Sequence, residues 1–114
     1  MREKTIEQKL VAEVKRRGGI CPKWVSPGFD GMPDRLVFLP GRHFGLVEVK
    51  APGEKPRPLQ DAAMAKLNGM GFRCWVIDST EKLDYFLGRM KARLEKVRKQ
   101  IDAEVSAYET MTKA

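Results

Sequence analysis

Hydrophobic positions change their period along the first half of the chain, which predicts a helix followed by strands. Apolar residues first recur at helical spacing: Ile6, Leu10, Val11 and Val14. This helix is predicted to begin at a capping box over residues 5–8 and to end at Gly18-Gly19. Residues 23–25 form a possible short strand, and the β-rich segments 35–39 and 44–50 flank a Pro-Gly turn. The two segments predict an antiparallel hairpin.

The second half returns to helical spacing, then to a strand, then to helical spacing again. A second helix is marked by Leu59, Ala63, Leu67 and Met70 and closed by Gly69 and Gly71. Residues 72–77 predict a strand that lies parallel to the previous one across this helix. From residue 80 a near-heptad ridge predicts one long helix: Leu83, Leu87, Met90, Leu94, Val97 and Ile101. The predicted fold class is α/β, a mixed sheet flanked by helices with a long C-terminal helix.

Charged residues interrupt the second hairpin strand, which otherwise has the composition of a buried strand. Because side chains alternate along a strand, Glu48 and Lys50 share one face, with Cα atoms about 6.6 Å apart. Asp34 joins that face only if the hairpin turn has an odd number of residues. We predict a three-residue turn, with Leu36 opposite Glu48 and Asp34 opposite Lys50.

Two carboxylates that converge in a partly buried place repel each other and lose hydration, so a cation is expected between them. Oxygen ligands favour Mg²⁺ or Mn²⁺, and a chain with one histidine disfavours zinc. Asp34 and Glu48 are the predicted metal ligands, and the backbone carbonyl of Val49 could complete the shell. Lys50 would orient an attacking water or stabilise charge on a phosphate, so the predicted reaction is phosphodiester hydrolysis.

Two further polar residues fall within the apolar arcs of the predicted helices. Glu7 lies between Val11 and Val14 on the first helical wheel, and Gln60 occupies a similar place on the second. Polar groups that face a core need partners, and we expect both to reach the charged strand cluster. Glu7 could instead merely complement the N-terminus of its helix.

The segments Glu7, Gly31-Met32-Pro33-Asp34, Glu48-Val49-Lys50 and Gln60 together resemble the PD-(D/E)xK nuclease superfamily, and within it the VRR-NUC family with its small phage-encoded members. The resemblance covers roughly residues 5–80. It implies a restriction-endonuclease-like fold, Asp34 and Glu48 as metal ligands, Lys50 as catalytic lysine, Glu7 as a further acidic residue and possible ligand, and Gln60 in support. It also implies structure-selective cleavage of branched or junction DNA. Residues 1–88 would form the nuclease domain.

The net charge of the chain favours a polyanionic partner. The 22 Lys and Arg against 15 Asp and Glu give a net charge of +7, which favours DNA. Arg35, Lys55 and Arg57 flank the proposed site as candidate phosphate contacts. Core packing is expected for the aromatic residues Trp24, Phe29, Trp75, Tyr85 and Phe86. No membrane-spanning run or signal peptide is seen, so a cytoplasmic protein is expected.

Residues 89–114 are predicted as a basic helical extension, to which the resemblance gives no role. Its heptad ridge favours a homodimer, although the ridge could pack on its own domain instead. Two other functions stay open from the sequence. The chain could bind DNA or support assembly with a nuclease-like fold that no longer cleaves, or it could be an oligomeric scaffold.

Overall fold

The computed structural model describes residues 1–90 and 94–112. In chain order its elements are α1 (Glu3–Arg16), β1 (Arg35–Leu39), β2 (His43–Val49), α2 (Pro58–Gly69), β3 (Cys74–Ile77), α3 (Thr80–Arg89) and α4 (Leu94–Thr112). A mixed sheet flanked by helices, with a further helix at the C-terminus, confirms the predicted fold class. The division of the chain at residue 88 stays a prediction.

The sheet has the strand order β1-β2-β3 within the described residues. β1 and β2 form the predicted antiparallel hairpin, and β3 lies parallel to β2 after the crossover through α2. Leu39 pairs with His43, so the turn has the predicted three residues. The predicted register is nevertheless wrong by two residues, because Leu36 pairs with Leu46 and not with Glu48. Continued by one residue, the observed register places Asp34 opposite Glu48, on the same face of the sheet.

The hydrophobic core lies between one face of the sheet and helices α1 and α3. Its largest fully buried side chains are Phe86, Ile6, Leu10, Ile77, Leu83, Val14, Val37 and Val47. Burying a side chain of this kind contributes about 1.5–3 kcal/mol. Glu48 points away from this core because it alternates with Val47 and Val49 along β2. The opposite face is covered by α2, which brings Gln60 onto Glu48.

The start of the first helix departs from the sequence prediction. α1 begins at Glu3 after Arg2, which makes no side-chain capping bond, so the predicted capping box at residues 5–8 is wrong. The helix begins three residues earlier than predicted, with an exposed first turn in which the negative charge of Glu3 is favourable, and Ile6 is its first buried residue. The possible strand at residues 23–25 is reduced to a single bridge between Lys23 and Arg35.

The long helix predicted from residue 80 is also divided. α3 ends at Arg89 with Met90 as its C-cap, and α4 begins at residue 94. Lys91, Arg93 and the side chain of residue 94, which belong to the predicted basic face and ridge, lie outside the described residues. Leu83 and Leu87 are buried in the core, so this part of the ridge packs on its own domain. Within residues 95–111 only Val97 is half-buried and the other side chains are exposed.

The prediction that the aromatic residues pack in the core is confirmed for some of them. Phe86 is fully buried, and Trp75 is partly buried with its ring 5.1 Å from that of Phe86. Phe29 and Tyr85 are exposed, which contradicts the prediction, because one lies in a loop and the other on the outer side of α3. No helix among the described residues is both long and apolar enough to cross a bilayer.

Candidate active site

Glu48 is the centre of the polar cluster and the most deeply buried of its charged residues. Only 4% of the residue is exposed. Gln60 on α2 donates from Nε2 to Glu48 Oε1 at 2.7 Å, and the Gln60 carbonyl oxygen accepts from the backbone N–H of Arg57 at 3.0 Å. Gln60 is therefore fixed at both ends, and it holds one carboxylate oxygen of Glu48. The predicted convergence of Gln60 on this strand is seen in the structure.

Burial makes the charged form of Glu48 costly. Burial and, to a smaller extent, the nearby charge of Asp34 raise the pKa of this carboxyl, Lys50 lowers it, and the net result is a pKa of about 7. A group with such a pKa is close to half-protonated at neutral pH. A positive charge placed beside it would restore the ionised form.

Asp34 lies at the entry to β1, directly after the buried Pro33. Its Oδ1 is buried and has no hydrogen-bond partner within residues 1–90 and 94–112. Burial and the charge of Glu7 raise the pKa of Asp34, while Arg35 lowers it. The Asp34 carbonyl accepts from the N–H of Trp24 at 2.7 Å, which fixes the backbone at this point. A buried carboxylate oxygen without a partner is costly unless something else binds it.

Glu7 on α1 pairs with Arg35 on β1, and its charge raises the pKa of Asp34; that Glu7 reaches the cluster of Asp34, Glu48 and Lys50 stays a prediction. Glu7 Oε1 accepts a hydrogen bond from Arg35 at 3.0 Å in a partly buried ion pair. Arg35 also donates to the backbone carbonyl of Cys21 at 2.8 Å. The Glu7 side chain is therefore held by an arginine, an interaction that the alternative role at the helix N-terminus does not account for.

Lys50 follows the last residue of β2, where the backbone is still tied to the sheet. Its N–H donates to the carbonyl of Ile77 at 3.0 Å, so β3 fixes the position from which this side chain leaves. Its charge is near enough to lower the pKa of Glu48. Asp34, Glu48 and Lys50 thus lie together at one end of the sheet, with Val49 between the last two.

Comparisons with known proteins indicate the family of the chain. No family model matches the chain. Over 81 residues the chain is 51% identical to "Putative nuclease p44" of Acyrthosiphon pisum secondary endosymbiont phage 1, covering 71% of this chain and 87% of the relative. A solved structure described as a VRR_NUC domain superposes with a TM-score of 0.71 at 26% identity, over 78% of this chain and 97% of the other. The chain belongs to the VRR-NUC family.

In this VRR-NUC chain the residues that could hold a divalent ion are few. No group of three or more His, Cys, Asp or Glu side chains in the described ranges is arranged to bind a metal. The partnerless Oδ1 of Asp34 and the nearby Glu48 carboxylate are nevertheless hard oxygen donors in need of a positive charge, which is the donor type that Mg²⁺ and Mn²⁺ take. Two carboxylates and a carbonyl with water in the remaining positions fit such an ion, since Mg²⁺ usually keeps several waters.

Of the three predicted phosphate contacts of the VRR-NUC site, Lys55 and Arg57 are exposed and Arg35 is largely buried. Lys55 and Arg57 are exposed on the loop before α2, and the charge of Arg57 lowers the pKa of Glu48. Arg35 is only 12% exposed and its guanidinium is bonded inside the protein. The sequence could not reveal this, because Glu7 and Arg35 are 28 positions apart. We assign Arg35 to positioning Glu7, and contact of Lys55 and Arg57 with phosphates stays a prediction.

Proposed function

We propose that the chain is a divalent-metal-dependent DNA endonuclease that hydrolyses phosphodiester bonds. The single observation that carries the proposal is the buried, partnerless Oδ1 of Asp34 beside a glutamate whose pKa is raised to about 7. Such a pair is unfavourable by itself and becomes favourable with a cation. Family membership and the phage relative named a nuclease support the same reaction.

Asp34, Glu48 and the Val49 carbonyl are the residues that would hold Mg²⁺ or Mn²⁺. When bound, the ion supplies positive charge that lowers the pKa of a water and counters the charge on the phosphate. Gln60 keeps Glu48 oriented through its 2.7 Å hydrogen bond. Arg35 holds Glu7, whose charge raises the pKa of Asp34. Lys50 has an ammonium group on the same face, where it can donate a hydrogen bond to the attacking water or to a phosphate oxygen.

The substrate side of the proposal rests on charge. The net charge of +7 favours a polyanion, and the exposed Lys55 and Arg57 beside the site can contact phosphates without reading sequence. We further propose that the enzyme prefers branched or junction DNA and works in the cytoplasm. A single small domain whose contacts are to the backbone is suited to selecting shape over sequence.

The test is a cleavage panel over single-stranded, duplex, flap and four-way DNA, with Mg²⁺ and with EDTA. We expect Mg²⁺-dependent cleavage that is strongest on a branched substrate. Lys50→Ala should lower the cleavage rate about a hundredfold or more, on the scale of removing one transition-state donor. The matched control is Lys9→Ala, which removes an exposed lysine of α1. Unchanged cleavage by Lys50→Ala would contradict the mechanism.

The rival function is DNA binding without cleavage. It is favoured by the absence, within residues 1–90 and 94–112, of a three-residue ligand cluster. Tight binding of the wild-type protein to all four DNA substrates, with no Mg²⁺-stimulated hydrolysis of any, would establish this rival and refute the nuclease proposal.

We also propose that α4 associates with a second copy of the chain. Its exposed large apolar residues fall on one side of the helix: Ile101, Val105, Tyr108 and Met111. An exposed apolar patch of this kind marks a contact surface. Sedimentation should show a dimer that Val105→Glu dissociates, whereas Ala103→Glu, on the opposite side of α4, should leave it intact. A monomeric wild-type protein would refute the dimer, and an oligomer that both variants retain would refute α4 as its interface.

A further inference from the structure

An apolar pocket lies between the loop before β1 and the outer part of α2. It has a volume of about 240 Å³. Its walls are Trp24, Phe29, Met32, Leu67 and Met70, with the exposed Lys66 beside them. Phe29 is 46% exposed and Met70 is 60% exposed, so the pocket is open to solvent. Nothing in the catalytic arrangement described above uses these side chains.

The pocket is joined to the catalytic residues by rigid backbone. Met32 comes two residues before Asp34, and the Trp24 N–H donates to the Asp34 carbonyl at 2.7 Å. Gly31 packs so closely on α2 that an added Cβ would lie 2.3 Å from the Leu59 carbonyl oxygen. The loop and α2 therefore form one unit around the site.

The distance from the site can be read along α2. Leu67 lies seven residues after Gln60 on the same side of the helix, which is about 10 Å along the axis. Stacked nucleotides rise about 3.4 Å each along one strand. A group in the pocket would therefore be about three stacked nucleotides along the strand from a phosphate at the catalytic residues.

We propose that this pocket binds one unpaired nucleobase of the DNA strand that is cut. The inference rests on the proposed nuclease function and names the substrate feature that the enzyme selects. The volume is below the roughly 300–1,000 Å³ of pockets for drug-sized ligands, so it suits a single small planar group. Two aromatic walls offer stacking surfaces that accept any base. Lys66 is placed to meet the phosphate of the same nucleotide.

A base buried in a duplex cannot reach the pocket, so the proposal explains a preference for branched DNA. Unpaired nucleotides at a flap or junction cost little to unstack compared with paired ones. The competing occupant is a second copy of the chain, which would also cover an apolar pocket. Charge favours DNA, because a protein of net charge +7 with Lys66 beside the pocket attracts a polyanion.

The test measures binding of the full chain, in EDTA, to a duplex with one unpaired nucleotide. That nucleotide is 2-aminopurine in one substrate and an abasic residue in the other. We expect the wild-type protein to quench the 2-aminopurine and to bind the intact substrate about tenfold more tightly than the abasic one. Phe29→Ala should lose both effects. Val25→Ala, on the same loop with 81% of the residue exposed and outside the pocket, should keep both.

Failure of the pocket and failure of the nuclease proposal give different results. If Phe29→Ala quenches and discriminates like the wild type, the pocket proposal is overturned while Mg²⁺-dependent cleavage can still stand. If the wild type shows base-dependent binding that Phe29→Ala loses, but no substrate is cleaved, the pocket stands and the nuclease proposal fails. If Phe29→Ala changes only the sedimentation of the free protein and leaves DNA affinity unchanged, a second copy occupies the pocket and the proposal is overturned.

Discussion

Replacing Glu48 by glutamine should stabilise the metal-free protein at alkaline pH. Glu48 is 4% exposed, and burial together with Asp34 raises its pKa from 4.5 to about 7. Between these two pH values the folded protein binds a proton that the unfolded chain has released, so the free energy of unfolding falls as pH rises. The stabilisation is complete below pH 4.5 and is lost above pH 7.

The raised pKa sets the magnitude of this effect. At about 1.4 kcal/mol per pH unit, the interval from 4.5 to about 7 corresponds to about 3 kcal/mol as an upper limit. Glutamine carries no charge and keeps an oxygen that can accept the hydrogen bond from Gln60. Glu48→Gln should therefore match the wild type near pH 4.5 and exceed it by up to about 3 kcal/mol at pH 8.

Urea denaturation followed by circular dichroism, in EDTA at pH 4.5, 6 and 8, measures the difference. Glu54→Gln is the matched control, because it changes an exposed glutamate on the loop after β2, and it should follow the wild type at every pH. Excess Mg²⁺ should stabilise the wild type at pH 8 and leave Glu48→Gln nearly unaffected. The reasoning is refuted if Glu48→Gln is less stable than the wild type at pH 8 in EDTA.

Three further changes test other parts of the account. Gln60→Ala removes the hydrogen-bond donor to Glu48 and should lower the free energy of unfolding by about 1–3 kcal/mol, measured by urea denaturation at pH 8. Unchanged stability would show that this hydrogen bond is unimportant. Gly31→Ala should lower the free energy of unfolding by at least about 1 kcal/mol more than Gly28→Ala does. Both glycines have a positive φ, but only a Cβ at residue 31 would clash with α2; equal melting temperatures of the two variants would contradict this. Glu7→Gln removes a negative charge that raises the pKa of Asp34. The pKa of Asp34 should therefore fall in an NMR titration in EDTA, and a rise would contradict this.

The sequence predicts which residues share the face of Glu48 because that face depends on local alternation. The strand period of two places Glu48 and Lys50 on one side, although Lys50 directly follows the end of β2. Asp34 shares that side only because the turn has the predicted three residues. The register still differs by two residues from the prediction, yet a shift of two restores every side chain to its face. A shift of one would have destroyed the site.

Interactions between distant segments could not be predicted in the same way. Arg35 has the charge of a phosphate contact, and only the packing of α1 against β1 shows that it bonds to Glu7. Phe29 is a residue type that usually packs in the core, but its loop places it in the open pocket beside α2. In both cases the residue type is compatible with two roles, and tertiary contacts decide between them.

We propose that Asp34 and Glu48 tolerate each other's charge because a divalent ion binds between them. Calorimetric titration with Mn²⁺ at pH 8 tests it most directly, with the wild type, Asp34→Asn and the control Glu54→Gln. The account predicts saturable Mn²⁺ binding to the wild type and to Glu54→Gln, and its loss in Asp34→Asn. Equal Mn²⁺ binding by Asp34→Asn, or no saturable binding by the wild type, would contradict it.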